Sequence, residues 1–371
     1  MEANKRIVER LLAETGTTVN GSNPWDIQVH DDRFYSRVLR DASLGLGESY
    51  MEGWWDCPRI DELICRILAG NLEEKVKKNL KILLLYLRAR MFNLQTRSRA
   101  GIIARRHYDL DNEFFLSFLD SYDQYSCGYF EGTDDLEEAQ QKKMDLLCRK
   151  LDLKSSDHVL DIGCGWGGFA RYAAEHYGCT VTAVNISEEQ IRYAREQCAG
   201  LPVKVISQDY RSMRGSYDKI VSVGMIEHVG QKNYRTFMRV ADRCLKEGGI
   251  FLLHTIGGNQ SRINCDLWIN RYIFPNGMLP SVAQLGRVAE GRFVVEDIHN
   301  LGTNYEKTLL KWNDRFQKSW PRFASRFDET FKRMWEYYLL SCAGAFRARS
   351  IQVWQIVLTK PGIGQQYRPV R

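Results

Sequence analysis

Val159–Ala170 reads VLDIGCGWGGFA: an apolar run carrying one aspartate, then four glycines within six positions. Glycines cost conformational entropy, so a cluster of them persists where the backbone must turn tightly or come close to a ligand. The flanking pattern tells which. HVLDIG reads as a strand and GFARYAAEHYG as a helix, and TVTAVNI with SEEQIRYAREQCAG repeats the pair. PVKVISQD, YDKIVSVGM and GIFLLHTI read as further strands. KNYRTFMRVADRCLKEGG reads as a helix ending on its glycines, and SIQVWQIVLTK as the last strand of the sheet. Strands alternating with helices of this length predict an α/β fold with a parallel sheet covered on both faces. Ligands of doubly wound sheets sit outside the carboxyl ends of the strands, where the glycine cluster falls.

The spacing GxGxG differs from the GxGxxG that accommodates a dinucleotide pyrophosphate. With Asp161, Gly163, Gly165 and Gly167 it resembles motif I of the S-adenosylmethionine-dependent methyltransferases, although a purely structural tight turn has the same composition. The resemblance implies a class I methyltransferase (Rossmann-like) domain with a seven-stranded sheet. One departure stands out. The second strand of such enzymes often ends on an acidic residue that binds the ribose, whereas TAVNIS places Asn185 there, with Gln190 a turn later. Amide groups are expected to take over ribose binding.

The rest of the chain bounds the context. Hydrophobic and charged contents of 44% and 26% are ordinary for a globular protein, and the net charge of +6 matters less than its distribution. Ten cysteines without a CxxC pair suggest neither a disulfide framework nor a zinc site, and no metal is expected. A reducing cytoplasm is the simplest home. MEANKRIVERLLAETG is a charged amphipathic helix rather than a signal peptide. No apolar run approaches the roughly 20 residues that span a bilayer. Residues 1–72 mix helical patterns with loop-like stretches such as NGSNPWD and DASLGLGESYMEGWWD. Between Lys75 and Arg106 stand ten basic residues and no acidic one, interleaved with Leu80, Ile82–Leu87, Met91, Phe92 and Leu94. A solvated linker helix has this pattern. So has a helix on an anionic lipid surface, where each cation contributes about 1 kcal/mol; nucleic acid is the competing polyanion.

Further segments narrow the class. RRHYDLDNEFF, YSCGYF, SVGMIEHVG, LLHTIG, YIFPNGMLPS and CAGAFRAR, in order and with DIGCGWGG among them, closely resemble the cyclopropane-fatty-acyl-phospholipid synthase family, relatives of which act on mycolic acids. The similarity is strong over about residues 105–360. NPWDIQVHDDRFYSRVLRDASLGLGESYMEGWWD resembles the additional N-terminal domain of the bacterial phospholipid enzymes. Asp111 replaces a glycine usual in the family; aspartate tolerates a left-handed backbone, so the turn is expected to survive. The resemblance implies a smaller, mainly helical, membrane-associating domain over 1–72, a basic amphipathic linker over 73–106, and a catalytic domain over 107–371. It implies a phospholipid bilayer rather than nucleic acid as partner, peripheral association with the inner face of the cell membrane, and a homodimer.

The implied reaction adds a methylene group from S-adenosylmethionine across a cis double bond of an acyl chain. A weakly nucleophilic alkene attacks the sulfonium methyl, and the resulting carbocation loses a proton as the ring closes. Positioning, a dry cation-tolerant pocket and a base are required. Glu227 and His254 follow neighbouring strands on the ligand side. In the family their counterparts, with those of Cys127, the Ile256 backbone and Tyr305, hold a bicarbonate ion that serves as base. Bicarbonate can donate its OH to a carboxylate while accepting hydrogen bonds elsewhere. The resemblance adds Cys342 as a proposed active-site cysteine, Tyr125 and Ser126 at the carboxylate-amine end of the cofactor, and Asp209 and Tyr210 near its adenine. Phe130, Trp268, Tyr272 and Phe274 are candidates for the acyl pocket, where ring faces stabilise cations. Plainer roles compete: a glutamate before histidine occurs in many methyltransferases, His254 fits a satisfied buried histidine, the cysteines and aromatic residues fit core packing, and Arg347 and Arg349 fit either a lipid phosphate or a carboxylate. Alternative products are a methyl-branched acyl chain or an N-methylated amine; a lipid- or nucleic-acid-binding protein with a vestigial pocket is disfavoured by the intact glycine motif.

Overall fold

The computed structural model describes residues 2–70, 112–262, 265–362 and 367–371. The basic stretch 73–106 and the segment Arg105–Asp111 lie outside the described residues. The chain divides into two compact units, one of Met1–Phe92, Ile263–Pro275 and Glu306–Ile351, the other of Asn93–Arg262, Asn276–Tyr305 and Gln352–Arg371. The expected divisions at 72 and 106 treat the chain as consecutive blocks. The compact units instead interleave, because two later segments pack with the N-terminal helices.

The first unit is mainly helical. Two short strands, β1 (Gln28–Val29) and β2 (Trp55–Asp56), pair antiparallel. DASLGLGESYM is not a loop: it belongs to a helix, Arg33–Met51, interrupted at Ala42 where φ is 49°. Glycines weaken an isolated helix, but tertiary burial overrides propensity here. Tyr50 lies 4.9 Å from the Trp55 ring and 5.7 Å from the Tyr337 ring, centroid to centroid. Helix Glu329–Arg347 packs on helix Ile60–Ala69 so closely that a Cβ on Gly344 would overlap the Asp61 carbonyl oxygen. Three residues on, the Arg347 guanidinium meets Asp61 at 2.6 Å, Glu62 at 2.9 Å and Glu306 at 2.8 Å. Arg347 therefore serves carboxylates of its own unit.

The second unit is built on a sheet of β3 (His158–Ile162), β4 (Thr180–Asn185), β5 (Val203–Ser207), β6 (Tyr217–Val223), β7 (Leu245–Gly258), β8 (Val294–Asn300) and β9 (Ile351–Thr359). The spatial order is β5-β4-β3-β6-β7-β9-β8, so β9 inserts between β7 and β8. Strand alternation explains both packed faces. Leu160, Ile162, Ile220, Phe251 and Leu253 join one core with Phe237 and Ala241 of helix Tyr234–Cys244. Their neighbours Val159, Val221 and Leu252 join the opposite core with Phe169, Ala173 and Leu147. Two covered faces produce the near-continuous apolar runs seen in the sequence.

Two details differ from expectation. The sheet is not wholly parallel, since β8 runs antiparallel to β9. β8 has no clean alternation to announce it, because Val294, Val295 and Ile298 are all exposed. The helix before β7 ends at Cys244 rather than on the glycines. KEGG is instead absorbed within β7, where the register with β6 shifts between the pairs Tyr217↔Leu245 and Lys219↔Ile250 and Gly248 takes φ +75°.

Candidate active site

Strand order reverses around β3, with β4 on one side and β6 on the other. A crevice is expected at the carboxyl ends there, and the structure has one. A cleft of about 1280 Å³, open mouth included, is lined by Asp161 and Gly163 after β3, Asn185 at the end of β4, Asp209 and Tyr210 after β5, and Gly224 and Met225 after β6. Its lining also includes Tyr125, Ser126, Gly165 and Gln190. Nine of the ten expected cofactor residues thus line one cleft.

The motif loop needs its glycines. Gly163, Gly165 and Gly167 take φ of +86°, +55° and +85°, a region that side chains disfavour. The amides of Gly163 and Cys164 donate to the Val184 carbonyl at 2.9 and 3.1 Å, tying the loop to β4. Gly167 is the one expected residue that does not line the cleft; a Cβ there would come within 3.0 Å of the Ala194 Cβ, so it serves packing against helix Glu188–Gln197.

The two amides expected at the ribose are differently engaged. Asn185 Nδ2 donates to the Gly165 carbonyl at 3.1 Å and to Gln190 Oε1 at 2.8 Å, while Asn185 Oδ1 accepts from the Ile186 amide at 2.7 Å. Asn185 therefore braces the loop. Gln190 Nε2 is buried without a hydrogen-bond partner among the described residues, and it is the amide with a donor to offer a ligand. Asp161 Oδ2 is likewise buried and unpartnered among those residues. Burial raises the Asp161 carboxyl to about 7, opposed by nearby Lys143. Asp209 receives the Arg211 guanidinium at 2.7 Å.

Of the residues expected around the base, Glu227 stands beside the cleft between the lining residues Met225 and His228, and His254 and Ile256 follow on the adjacent strand. Glu227 lies in a short 3₁₀ turn, Ile226–His228, four residues past the end of β6, and Val223 pairs with His254 of β7. The Ile256 amide donates to Glu227 Oε1 at 2.7 Å. That amide is therefore engaged by Glu227 itself and orients the carboxylate. Glu227 Oε2 has no partner among the described residues. Burial raises the Glu227 carboxyl to about 7; the amides of Glu227 and Ile256 and the Thr255 hydroxyl oppose the rise less strongly. His254 is buried, and desolvation with the nearby cations Lys143 and Lys150 lowers its pKa to about 3, so the ring is neutral. Its Nδ1 faces Gln355 Nε2 of β9 at 3.4 Å. Cys127 is buried, with Sγ donating to the Gly128 carbonyl at 3.2 Å. The Phe130 amide donates to Asn304 Oδ1 at 2.7 Å, which ties the 127–130 segment to the residue preceding the buried Tyr305.

The remaining candidates fall apart by unit. Phe130 is in the second, whereas Trp268, Tyr272, Phe274 and Cys342 are in the first. Trp268 is 1% exposed and packs 4.7 Å from the Tyr337 ring, Tyr272 donates to Glu48 Oε1 at 2.9 Å, and Phe274 lies 5.9 Å from Tyr338. Burial pushes the Cys342 thiol up to about 12, so it is not a thiolate at neutral pH.

Sequence reasoning passed over several residues. Asp123, Gln124, Trp166 and His228 line the cleft; Trp166 within the glycine run and His228 beside Glu227 were adjacent to recognised motifs. Lys143 carried no signal, because QQKKMDLL looks like an ordinary exposed helix face.

A sheet of this order with a cleft over a GxGxG loop defines a class I S-adenosylmethionine-dependent methyltransferase. The family model described as mycolic acid cyclopropane synthetase matches residues 95–356. The chain belongs to that family and is an enzyme that transfers one-carbon groups from S-adenosylmethionine. It is 52% identical to the cyclopropane-fatty-acyl-phospholipid synthase of Escherichia coli (strain K12), over 96% of this chain and 93% of that one. It is 33% identical to the tuberculostearic acid methyltransferase UfaA1 of Mycobacterium tuberculosis (strain ATCC 25618 / H37Rv), over 95% and 88%. Among solved structures, mycolic acid cyclopropane synthase CmaA1 complexed with SAH and CTAB superposes with a TM-score of 0.65 at 33% identity, covering 70% of this chain and 98% of that one. Coclaurine N-methyltransferase shares the fold, with a TM-score of 0.70 at 23% identity, over 85% and 99%.

Proposed function

We propose that this enzyme adds a methylene group from S-adenosylmethionine to the cis double bond of acyl chains in membrane phospholipids, with a bound bicarbonate as base. The observation that carries the reading is Glu227: a buried carboxylate held through Oε1 by the Ile256 amide, its Oε2 left without a partner among the described residues. Ring closure must dispose of a proton, and such a carboxylate can hold the group that takes it; an amine that arrives protonated must shed one too, so the choice of the alkene is supported by the 52% identity to a cyclopropane-fatty-acyl-phospholipid synthase.

The chain's own residues have separable tasks. The glycine loop and Gln190 hold the nucleoside. Glu227 Oε2 can accept the OH of a small oxyanion, and His254, neutral, can donate one N–H to it. Tyr305 adds a hydroxyl donor and Cys127 a small wall. Bicarbonate supplies, when bound, a proton acceptor small enough for a lipid-filled cavity. The donor set fits such an anion, with the difference that the Ile256 amide serves it through Glu227. Enclosure keeps water from the carbocation. Peripheral contact with an anionic bilayer, a dimeric state and a cytoplasmic location belong to the same reading, supported by the basic stretch in the sequence and by family resemblance.

The test is direct. The protein is incubated with S-adenosylmethionine and vesicles of cis-unsaturated phospholipid, with and without bicarbonate, and the acyl chains are weighed. A gain of one CH₂ that resists hydrogenation, faster with bicarbonate, is expected. A hydrogenatable product would mean methyl branching instead, and no product would refute the substrate assignment.

A further inference from the structure

Helix Leu136–Lys150 carries a lysine where amphipathic patterning calls for an apolar residue: Lys143 is wholly buried. Its Nζ donates to Gln124 Oε1 and, at 3.0 Å, to Ser126 Oγ. One turn earlier on the same helix, Gln140 Nε2 donates to the Ser126 carbonyl at 2.8 Å. Gln124 is held at its other end, Nε2 donating to the Tyr122 carbonyl at 3.0 Å. Gln124 and Ser126 both line the cleft, so the ammonium stands immediately behind its wall.

A buried ammonium is costly and persists only where it is hydrogen-bonded or paired. Asp120, Cys127 and Asp161 all favour its charged form, against burial that lowers its pKa to about 8. A hydroxyl has one hydrogen. With its oxygen accepting from Lys143, Ser126 keeps that hydrogen for an acceptor elsewhere, and a cation behind a hydroxyl strengthens it as a donor to an anion. Asp123, three residues earlier in the cleft wall, adds a carboxyl that burial and neighbouring Asp120 push up to about 7, so that it gains its charge most readily beside a cation. A carboxylate beside Ser126 and an ammonium beside Asp123 make up the zwitterionic end of an amino acid.

We propose that Lys143 is a positioning residue which, through Ser126, presets one end of the cleft for a carboxylate and so selects nucleoside ligands that carry an amino-acid tail. The proposal rests on the cofactor reading of the cleft. S-adenosylhomocysteine and 5′-methylthioadenosine share the nucleoside and sulfur and differ in that tail, so the ratio of their dissociation constants, measured by calorimetry, isolates it. Lys143→Met is expected to weaken S-adenosylhomocysteine by about tenfold to a hundredfold, the range for a hydrogen bond to a charged group. 5′-Methylthioadenosine should change by less than about threefold. Ser126→Ala should reproduce the selective loss, and the double variant should bind no worse than Lys143→Met alone. Equal weakening of both ligands, no weakening of either, or additive losses in the double variant would overturn the role of Lys143. Should Lys143→Met not fold, Lys143→Gln takes its place: a selective loss of S-adenosylhomocysteine is expected, and equal weakening of both ligands or of neither would overturn the role. A wild-type protein that binds neither ligand refutes the cofactor reading itself.

Discussion

Glu227→Gln separates what burial does to the fold from what the carboxylate does for the reaction. Burial raises the Glu227 carboxyl from its usual 4.5 to about 7. In the unfolded chain the same group ionises normally. Between those values the folded state holds a proton that the unfolded state has lost, so stability falls as pH rises through the window and the cost is constant above it. At about 1.4 kcal/mol per pH unit the full cost is about 3–4 kcal/mol. Glutamine has nothing to ionise, yet its Oε1 can still accept from the Ile256 amide. The variant's advantage over wild type should therefore be about 2–3 kcal/mol larger at pH 8 than at pH 5, measured by urea unfolding at both. S-adenosylhomocysteine affinity should stay within about twofold, while turnover falls on the order of 10²–10⁴-fold, the usual worth of positioned acid–base chemistry. An advantage equal at the two pH values would refute the burial argument. Loss of cofactor affinity would move Glu227 into the cofactor site.

Other outcomes follow from single contacts. His254, with its pKa lowered to about 3, should show no titration between pH 5 and 9 in histidine-labelled NMR spectra; any acid limb of the activity profile near pH 7 then belongs to other groups. Gly168→Ala should destabilise by about 1–3 kcal/mol in thermal unfolding, because the added Cβ would overlap the Tyr122 carbonyl and the Gln124 amide. Arg347→Ala should cost about 3 kcal/mol by denaturant titration, since it strips the buried Asp61 of one of its two arginine partners and leaves Arg59.

The chemistry-bearing turn was readable because local rules and tertiary demands coincide there. Positive φ at alternate positions admits little but glycine, and strands buried on both faces admit little but apolar residues. Elsewhere tertiary packing overrode the local signal. Glycines in DASLGLGESYM argued for a loop until burial of Tyr50 made a helix of it, and KEGG argued for a helix end until a bulge absorbed it. The exposed valines of β8 have no periodicity to detect. Lys143 shows the limit most plainly, for a charged residue reads as solvated until the partners that hold it are known. Family resemblance assigns the Ile256 backbone to the bound anion, and only geometry shows that its amide is engaged by Glu227.

The threading of β9 between β7 and β8 makes His254 answer to an element remote from it in sequence. Gln355, which faces the His254 ring, is carried by a strand whose other flank is the antiparallel β8. A substitution that loosens that edge strand is therefore relayed to the histidine through β9, although β8 lines no part of the cleft.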